Sequence, residues 1–256
     1  MASRKKYVGG NWKMNLNKAE AVALAKDLAT KVDDAAPCEV AICPPFVYLD
    51  AISQALCEAG NKTIKLGAQD FWTAGNGAYT GEISLDMLKD VGVSVVLTGH
   101  SERRHVIGET DVLINEKNLK ALEAGMEVIF CIGEKLEQRE AGQTDAINAA
   151  QMSYGLAGVT AEQMKNVVVA YEPVWAIGTG KTATPEDAQK AHKAIREHLT
   201  SMFSKEVADG VRIQYGGSMK PSNAGELMGQ ADIDGGLIGG AALKADDFMG
   251  IINAAK

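Results

Sequence analysis

The stretch that best indicates the fold is Val167-Val168-Val169-Ala170-Tyr171-Glu172-Pro173. Its apolar, β-branched run predicts a strand that is covered on both faces, as the strands of parallel sheets are. Pro173 ends the strand because it has no amide proton for the ladder, and it favours an extended conformation at Glu172. The stretch therefore carries one carboxylate at the C-terminal end of a buried strand.

The segment after this strand, 174–183, is apolar and then rich in glycine. A segment of this kind can move as a unit over a site, which suits proton abstraction by Glu172 away from water. The alternative is that Glu172 is a surface carboxylate or half of a structural ion pair. A nucleotide-binding loop is excluded, because Gly180-Lys181-Thr182 would need a Gly at the position of Trp175.

The pattern of a buried strand followed by a helix repeats along the whole chain. Mostly continuous apolar runs predict eight strands: Tyr7–Trp12, Glu39–Cys43, Ile64–Gln69, Ser94–Thr98, Glu127–Ile132, Val167–Tyr171, Val211–Tyr215 and Gly236–Ile238. Eight such units in 256 residues, with no linker or change of composition, predict an α/β fold, a single (β/α)8 TIM barrel in which residues 1–256 form one domain. A doubly wound sheet is the alternative, but no glycine-rich dinucleotide motif follows the first strand.

The sequence predicts where two of the helices begin. Asn17 and Glu20 form a capping-box pattern, and Thr184 followed by Pro185 is typical of a helix N-terminus. The residues expected on the buried faces of these helices are Val22, Ala25, Leu28 and Val32, and then Ala188, Ala191, Ile195, Leu199 and Met202.

The composition limits the class of partner. Lys and Arg total 26 against 33 Asp and Glu, a net charge of -7 that argues against nucleic acid or an anionic membrane. A small anionic substrate would therefore need a local cationic site. The N-terminus has no apolar segment of a signal peptide, and no apolar run approaches membrane length. The four cysteines, Cys38, Cys43, Cys57 and Cys131, form no CxxC pair and are expected to be buried, reduced thiols of a cytoplasmic protein.

In a barrel of this kind, the site forms where the strands end. Polar or small residues follow six of the predicted strands: Asn11 and Lys13, His100 and Glu102, Gly133 and Glu134, Glu172, Gly216 to Ser218, and Gly239 to Ala241. Glycines after the last two strands would let backbone N–H groups approach a phosphate, although tight turns alone would also need glycine.

The side chains at the strand ends suggest separate roles. His100 heads a helical pattern that favours a neutral imidazole, which could polarise a carbonyl group. Lys13 could offset the charge of an oxyanion or phosphate, and Asn11 could donate a hydrogen bond to the same oxygen. The alternatives are a structural histidine, a surface lysine and a turn-forming asparagine. His192 and His198 lie among charged residues and are expected at the surface, and His105 beside Arg104 is expected to be a flanking residue.

Several motifs together resemble the triosephosphate isomerase family over essentially the whole chain. They are Asn11-Trp12-Lys13-Met14-Asn15, Gly99-His100-Ser101-Glu102-Arg103-Arg104, Ala170 to Lys181, and Tyr215-Gly216-Gly217-Ser218. The resemblance implies interconversion of dihydroxyacetone phosphate and glyceraldehyde 3-phosphate through an enediolate, without a metal or organic cofactor. That enzyme is itself a worked example of pKa tuning and loop closure in general accounts of catalysis.

The resemblance also implies the residue roles. Glu172 would be the base, His100 the neutral electrophile, Lys13 the electrostatic group and Asn11 a donor to the substrate, with Glu102 a supporting or proton-relay carboxylate near Lys13. The implied phosphate cradle is Gly178, Ser218, Gly239 and Gly240, and the implied lid is the segment from Pro173 to Ala183.

Two other functions compete with this interpretation. A Schiff-base aldolase would need a desolvated lysine on an inner strand, and we expect none in the strand cores. A catalytically silent scaffold barrel would be expected to have lost Glu172, His100 or Lys13.

The segment from Gln69 to Ser84 predicts a subunit contact. It is long for a loop between a strand and a helix, and it carries Phe71, Trp72 and Tyr79, which would be costly to leave in water. The alternative is a loop folded against its own barrel. The resemblance implies a homodimer in which Thr80 and Glu82 lie at the interface.

Overall fold

The structure is a computed structural model, and it describes residues 4–176 and 183–256. Its strands are β1 (Tyr7–Asn11), β2 (Glu39–Cys43), β3 (Ile64–Ala68), β4 (Val95–Thr98), β5 (Glu127–Ile132), β6 (Val167–Tyr171), β7 (Arg212–Tyr215) and β8 (Gly235–Ile238). They form a closed barrel in sequence order in which neighbouring strands are parallel. The predicted (β/α)8 fold is confirmed, and each predicted strand differs from the observed one by at most one residue at an end.

Within the described ranges, α-helices alternate with these strands. The helices are α1 (Lys18–Lys31), α2 (Leu49–Glu58), α3 (Leu85–Asp90), α4 (Asp111–Glu123), α5 (Leu136–Glu140), α6 (Thr144–Gly155), α7 (Pro185–Met202), α8 (Lys205–Gly210), α9 (Pro221–Met228) and α10 (Ala245–Asn253). None of the helices in those ranges is long and apolar enough to cross a bilayer.

Successive residues of each strand enter two different apolar cores. In β6, Val168 and Ala170 point into the barrel, whereas Val167, Val169 and Tyr171 pack in the layer between the barrel and the helices. Because side chains alternate across a strand, a strand buried on both faces carries mainly apolar side chains in both directions. This arrangement explains the continuous apolar runs of the sequence.

The two predicted helix starts are confirmed. The Asn17 side chain accepts a hydrogen bond from the backbone N–H of Glu20, and the Glu20 side chain accepts one from the backbone N–H of Asn17. The Thr184 hydroxyl caps α7 by accepting from the backbone N–H of Asp187. Of the residues predicted on the buried face of α1, Ala25, Leu28 and Val32 are buried, whereas Val22 is only half-buried and its neighbour Ala21 is buried instead.

The prediction that His192 is a surface group is wrong. Its ring is fully buried on α7, with Nδ1 3.2 Å from the carbonyl oxygen of Asp232. The ring centroid lies 5.7 Å from that of Tyr171 and 6.2 Å from that of Tyr215. The prediction relied on the charged residues beside His192 in the sequence. The buried face of α7 is wider than its apolar stripe, however, and it also includes Arg196, which pairs with Asp232.

Two further expectations need correction. Phe71 is buried in the barrel's own core, and Trp72 is half-buried with its ring centroid 6.0 Å from that of Tyr79, so of these three aromatic residues only Tyr79 is well exposed. Cys57 is exposed, whereas Cys38, Cys43 and Cys131 are buried as expected.

Burial of His192 makes stability depend on pH. It lowers the pKa of the imidazole from 6.5 to about 3, so between these values the unfolded state binds more protons than the folded state. Stability is therefore lost as the pH falls below the unfolded pKa. When the pH is lowered from about 7 to 5, we expect the free energy of unfolding to fall by about 2 kcal/mol more in wild-type protein than in His192→Gln. Urea titrations of both proteins at the same protein concentration measure this difference.

The matched control is His198→Gln, because His198 is only half-buried and bonds to the Ser153 hydroxyl. This control should keep the wild-type pH dependence. Equal losses in wild-type protein and His192→Gln would contradict the assignment of the effect to His192.

Candidate active site

Glu172 lies at the C-terminal end of β6, as predicted. Its backbone N–H donates to the carbonyl oxygen of Ile132 over 2.7 Å, which extends the ladder from β5 by one residue. Its side chain is only 2% exposed. Ser101 donates to both carboxylate oxygens, from its backbone N–H to Oε2 over 2.9 Å and from its hydroxyl to Oε1 over 3.0 Å.

His100 contacts the same carboxylate. Its Nε2 lies 3.0 Å from Oε1 of Glu172, and its Nδ1 accepts a hydrogen bond of 3.2 Å from the backbone N–H of Glu102. A ring nitrogen that accepts a hydrogen bond carries no proton, so the proton of the neutral ring lies on Nε2. In this arrangement Nε2 donates to Oε1 of Glu172, and the same N–H lies on the cavity wall, where a substrate oxygen could take the place of the carboxylate.

Lys13 is held in a strained backbone conformation. Its φ of 54° lies in the left-handed region, which is unfavourable for a residue with a side chain. The Asn11 side chain accepts from the backbone N–H of Lys13 over 3.0 Å, and the Gln69 side chain donates to the carbonyl oxygen of Lys13 over 2.8 Å. Nζ of Lys13 lies 2.5 Å from Oε1 of Glu102. The side chains of Asn11, at the end of β1, and Gln69, directly after β3, therefore stabilise the backbone turn at Lys13.

One cavity of about 770 Å³ joins these residues to the small residues after β7 and β8. Residues of its lining include Asn11, Lys13, His100 and Glu172 on one side, and Gly216, Gly217, Ser218, Gly239 and Gly240 on the other. A Cβ atom at Gly239 would lie 3.4 Å from Cε of Lys13, so the cation and the bare backbone are close together.

A proton base, a neutral hydrogen-bond donor and a cation thus surround one cavity with a glycine-rich wall. This combination suits removal of a proton beside a carbonyl group in a molecule that also carries a phosphate. Residues 4–176 and 183–256 contain no group of three or more His, Cys, Asp or Glu side chains that could hold a metal ion.

A sequence model of the family described as triosephosphate isomerase matches residues 6–255. The chain belongs to the triosephosphate isomerase family. It is 54% identical over 254 residues to a triosephosphate isomerase of Chloroherpeton thalassium, covering 99% of this chain and 100% of the relative. It is 52% identical over 249 residues to that of Carboxydothermus hydrogenoformans, covering 97% of this chain and 98% of the relative.

Membership of the triosephosphate isomerase family gives the activity. The chain is an isomerase that interconverts dihydroxyacetone phosphate and D-glyceraldehyde 3-phosphate by proton transfer through an enediolate, in glycolysis and gluconeogenesis. Its substrates are therefore small phosphorylated molecules, as the glycine-rich wall of the cavity suggests.

The structure also bears on the aldolase alternative. The expectation was that no strand core carries a desolvated lysine, and the lysine that β3 contains, Lys65, is its second residue and is only half-buried. It lies near the start of the strand, at the opposite end of the barrel from the site. Burial lowers its pKa, but ion pairs with Glu127 and Glu39 outweigh this and leave the pKa raised. A Schiff-base lysine needs a lowered pKa, so Lys65 does not suit that chemistry.

Sequence reasoning missed several residues of the site. Ser101, which binds Glu172, and Gln69, which binds the Lys13 turn, were quoted only as parts of a motif and a loop. Both are polar residues at strand ends, a signal that could have identified them. Lys220 and Lys244 directly precede α9 and α10 and line the mouth of the cavity, where their cations oppose the net negative charge of the chain.

The implied phosphate cradle and lid are only partly described. Gly178 and the other residues of 177–182 lie outside the described residues. Before them, Val174–Ala176 forms a short 3-10 turn, in which the Trp175 indole donates to Oε1 of the fully buried Glu134 over 2.9 Å. Tyr171 donates its hydroxyl to the same oxygen over 3.1 Å. Glu134 is thus the anchor of the first part of this segment.

The backbone around Glu172 leaves no space beside Gly133. A Cβ atom there would lie 1.8 Å from the backbone oxygen of Glu172. We expect Gly133→Ala to displace the base, to reduce turnover, and to destabilise the fold by about 3 kcal/mol, which lowers Tm by about 6 to 12 °C. The measurements are thermal unfolding and an isomerase assay.

Gly210→Ala is the matched control, because no atom lies within 4 Å of the added Cβ. It should leave both the Tm and the turnover near the wild-type values. Similar losses in the two variants would show that close packing at Gly133 does not position the base.

Proposed function

We propose that Glu172 is the general base of this isomerisation and that His100, Asn11 and Lys13 stabilise the charge on the enediolate oxygens. One observation carries the proposal: Oε1 of Glu172 and Nε2 of His100 are 3.0 Å apart on the wall of the cavity that Lys13 and Asn11 also line. A base and an electrophile this close can act on adjacent atoms of one small substrate.

The reaction follows from these positions. Glu172 takes the proton from the carbon beside the carbonyl group, and the electron pair of the C–H bond forms the C=C bond of the enediolate. Negative charge moves to the carbonyl oxygen, where the N–H of His100 and the ammonium of Lys13 stabilise it. A proton also moves from the neighbouring hydroxyl oxygen to the former carbonyl oxygen, and we propose that His100 carries it. Glu172 then returns its proton to the former carbonyl carbon, while the hydroxyl carbon becomes the new carbonyl. The steps balance without transfer of electrons to or from a cofactor, so we propose that the reaction needs none.

The hydrogen bonds from Ser101 bear on the state of the base. Both oxygens of Glu172 accept from Ser101, and Oε1 also lies 3.0 Å from Nε2 of His100, so these contacts compete with a substrate for the carboxylate. We infer that the described arrangement is the resting state and that Ser101 keeps Glu172 ready beside the cavity. Substrate binding would then exchange these hydrogen bonds for the reactive geometry.

Glu102 supports the site indirectly. Its carboxylate lies 2.5 Å from Nζ of Lys13 and 3.5 Å from Nδ1 of His100, but it is not part of the cavity wall. Its side chain is 47% exposed, so the ion pair contributes little to stability. We propose that Glu102 positions Lys13, rather than acting on the substrate itself.

Backbone N–H groups at Ser218, Gly239 and Gly240 are proposed to bind the phosphate, together with Gly178, which lies outside the described residues. The support is the bare wall of the cavity and the 3-10 turn that begins at Gly240, since N–H groups at such a turn point toward an anion. From the family resemblance, we propose that the segment from Pro173 to Ala183 acts as the lid.

We also propose that the protein is a homodimer. Large apolar side chains are exposed in and after the loops that follow β1 to β4: Met14, Val47, Tyr79, Met87, Val106 and Ile107. Because these four strands are neighbours in the eight-stranded barrel, their loops lie on one half of its face. Met14 is 95% exposed directly beside Lys13, so a partner that covers this surface would also complete the wall of the site.

Three further properties belong to the proposal. The net charge of -7 disfavours nucleic-acid and anionic-membrane partners. Free thiols at all four cysteines fit a reducing compartment, for which we propose the cytoplasm. The closed barrel formed by strands from both ends of the chain supports one domain over residues 1–256.

Glu172→Gln tests the assignment of the base, because it keeps the shape of the side chain and removes its proton affinity. In coupled assays started with either triose phosphate, we expect a loss of at least about 10²-fold in turnover, with a smaller change in KM. Glu116→Gln, at an exposed site on α4, is the control and should remain fully active. Near-normal turnover of Glu172→Gln would exclude Glu172 as the base.

Tyr79→Asp tests the dimer, because a charge on the proposed interface would be buried without a partner. We expect light scattering to show a dimer for wild-type protein at micromolar concentration and a shift toward monomer for the variant, with reduced activity. Tyr154→Asp is the matched control, since Tyr154 is 63% exposed on α6 and Tyr79 is 47% exposed. A fully active monomeric wild type would contradict the proposal.

A further inference from the structure

Gln151, on α6, makes two hydrogen bonds to the backbone of Gly133, the residue directly after β5. Its Oε1 accepts from the backbone N–H of Gly133 over 2.8 Å, and its Nε2 donates to the carbonyl oxygen of Gly133 over 3.2 Å. Gln151 is half-buried and does not line the active-site cavity. One amide side chain from a helix therefore holds both backbone groups of the residue that follows β5.

Gly133 needs these partners because β4 is too short to reach it. The pairing of β4 with β5 ends at Thr98, and the chain then turns away. Earlier in the pair, the backbone N–H of Glu127 donates to the carbonyl oxygen of Ser94 over 3.0 Å. Donors recur at every second residue of a parallel ladder, so the N–H of Gly133 faces the side that β4 has left. Gln151 takes the place of the missing strand there, since backbone groups away from water need partners.

The backbone that Gln151 holds lies against the backbone of Glu172. A Cβ atom at Gly133 would lie 1.8 Å from the backbone oxygen of Glu172, and the N–H of Glu172 donates to Ile132 over 2.7 Å. On the other side, a Cβ atom at Gly216 would lie 2.8 Å from Cγ of Glu172. Glu172 is thus enclosed between the ends of β5 and β7, so a shift of the Gly133 backbone displaces it.

The helix that carries Gln151 is a rigid support. Gly155, one turn further along α6, packs so closely on Phe130 of β5 that a Cβ atom would lie 2.3 Å from its ring. The carbonyl oxygen of Gly155 also accepts from the side chain of Asn118 on α4 over 2.9 Å. Because α6 is fixed at this turn, packing between helix and strand sets the distance from Gln151 to Gly133.

We propose that Gln151 is a positioning residue for the isomerisation, which fixes the Gly133 backbone and, through it, the carboxylate of Glu172 relative to His100. This inference rests on the proposal that Glu172 is the general base. Misplacement of a catalytic group by about 1 Å can cost about 10²-fold in rate. Because Gln151 lies outside the cavity, its loss slows proton transfer and leaves substrate binding nearly unchanged.

Gln151→Met tests this role in the full-length enzyme, because methionine keeps the length of the side chain and removes both hydrogen bonds. Calorimetric titration with 2-phosphoglycolate counts the sites that bind a phosphate-bearing ligand, which we call competent sites, and so recognises a partly unfolded sample. We expect kcat per competent site to fall by about tenfold, with a change in KM of less than about twofold.

Exchange of the Gly133 amide proton with solvent reports the contact directly. In enzyme that contains isotopically labelled glycine, the Gly133 resonance is assigned by its absence from Gly133→Ala. We expect this proton to exchange at least about tenfold faster in Gln151→Met than in wild-type enzyme, because its acceptor is lost. Gln151→Asn can hold at most one of the two backbone groups, so its kcat and exchange rate should lie between those of wild type and Gln151→Met.

Gln143→Met is the matched control, since Gln143 is exposed directly before the same helix and receives the same substitution. It should keep the wild-type kcat, KM and exchange rate of the Gly133 amide proton. Where Gln151→Met retains few competent sites, the same measurements on Gln151→Asn decide.

Two results would overturn the role of Gln151 alone, with Glu172→Gln inactive as expected. One is a wild-type kcat per competent site in Gln151→Met. The other is a loss of kcat without faster exchange of the Gly133 amide proton, since Gln151 would then not act through this backbone. Near-normal turnover of Glu172→Gln would instead reject the base, and the role of Gln151 with it, while the isomerase activity would stand.

Discussion

The pairing of β1 with β8 closes the barrel, and every feature of the site depends on this closure. Tyr7 lies opposite Gly235, whose φ of 143° is one that a residue with a side chain rarely adopts. A Cβ atom at Gly235 would lie 1.9 Å from the carbonyl oxygen of Tyr7, so only glycine allows the two strands to meet. Because all the strands are parallel, closure brings their C-terminal ends together around one cavity.

The site is a chain of contacts between strand ends that are far apart in sequence. Gln69 after β3 holds the Lys13 turn after β1, and Lys13 pairs with Glu102 after β4. His100 and Ser101, in the same loop, bind Glu172 after β6. Each strained or buried group is therefore stabilised by a neighbour on another strand. A change in one loop is expected to reach the base through these contacts.

The two ends of the barrel use charge differently. At the N-terminal end, Lys65 and Arg212 pair with Glu39 and Glu127, and both cations lie near the ring of Tyr7. This balanced cluster has no charge left for a ligand, so it stabilises the closed end. At the C-terminal end, Lys220 and Lys244 form no ion pair within the described residues, and glycines expose the backbone. A chain with net charge -7 can thus attract an anion at one end only.

The sequence by itself determined the strands, the helix caps and the main candidates for the chemistry. Continuous apolar runs follow from burial on both faces, and Glu172, His100 and Lys13 stand out because they directly follow such runs. The tertiary structure alone decided which groups meet. The contacts of Ser101 with Glu172, of Gln69 with Lys13 and of Arg139 with Asp187 join residues distant in sequence, and no local pattern encodes them. Burial of His192 and Phe71 likewise depends on packing between elements, because charge and loop composition describe only their neighbours along the chain.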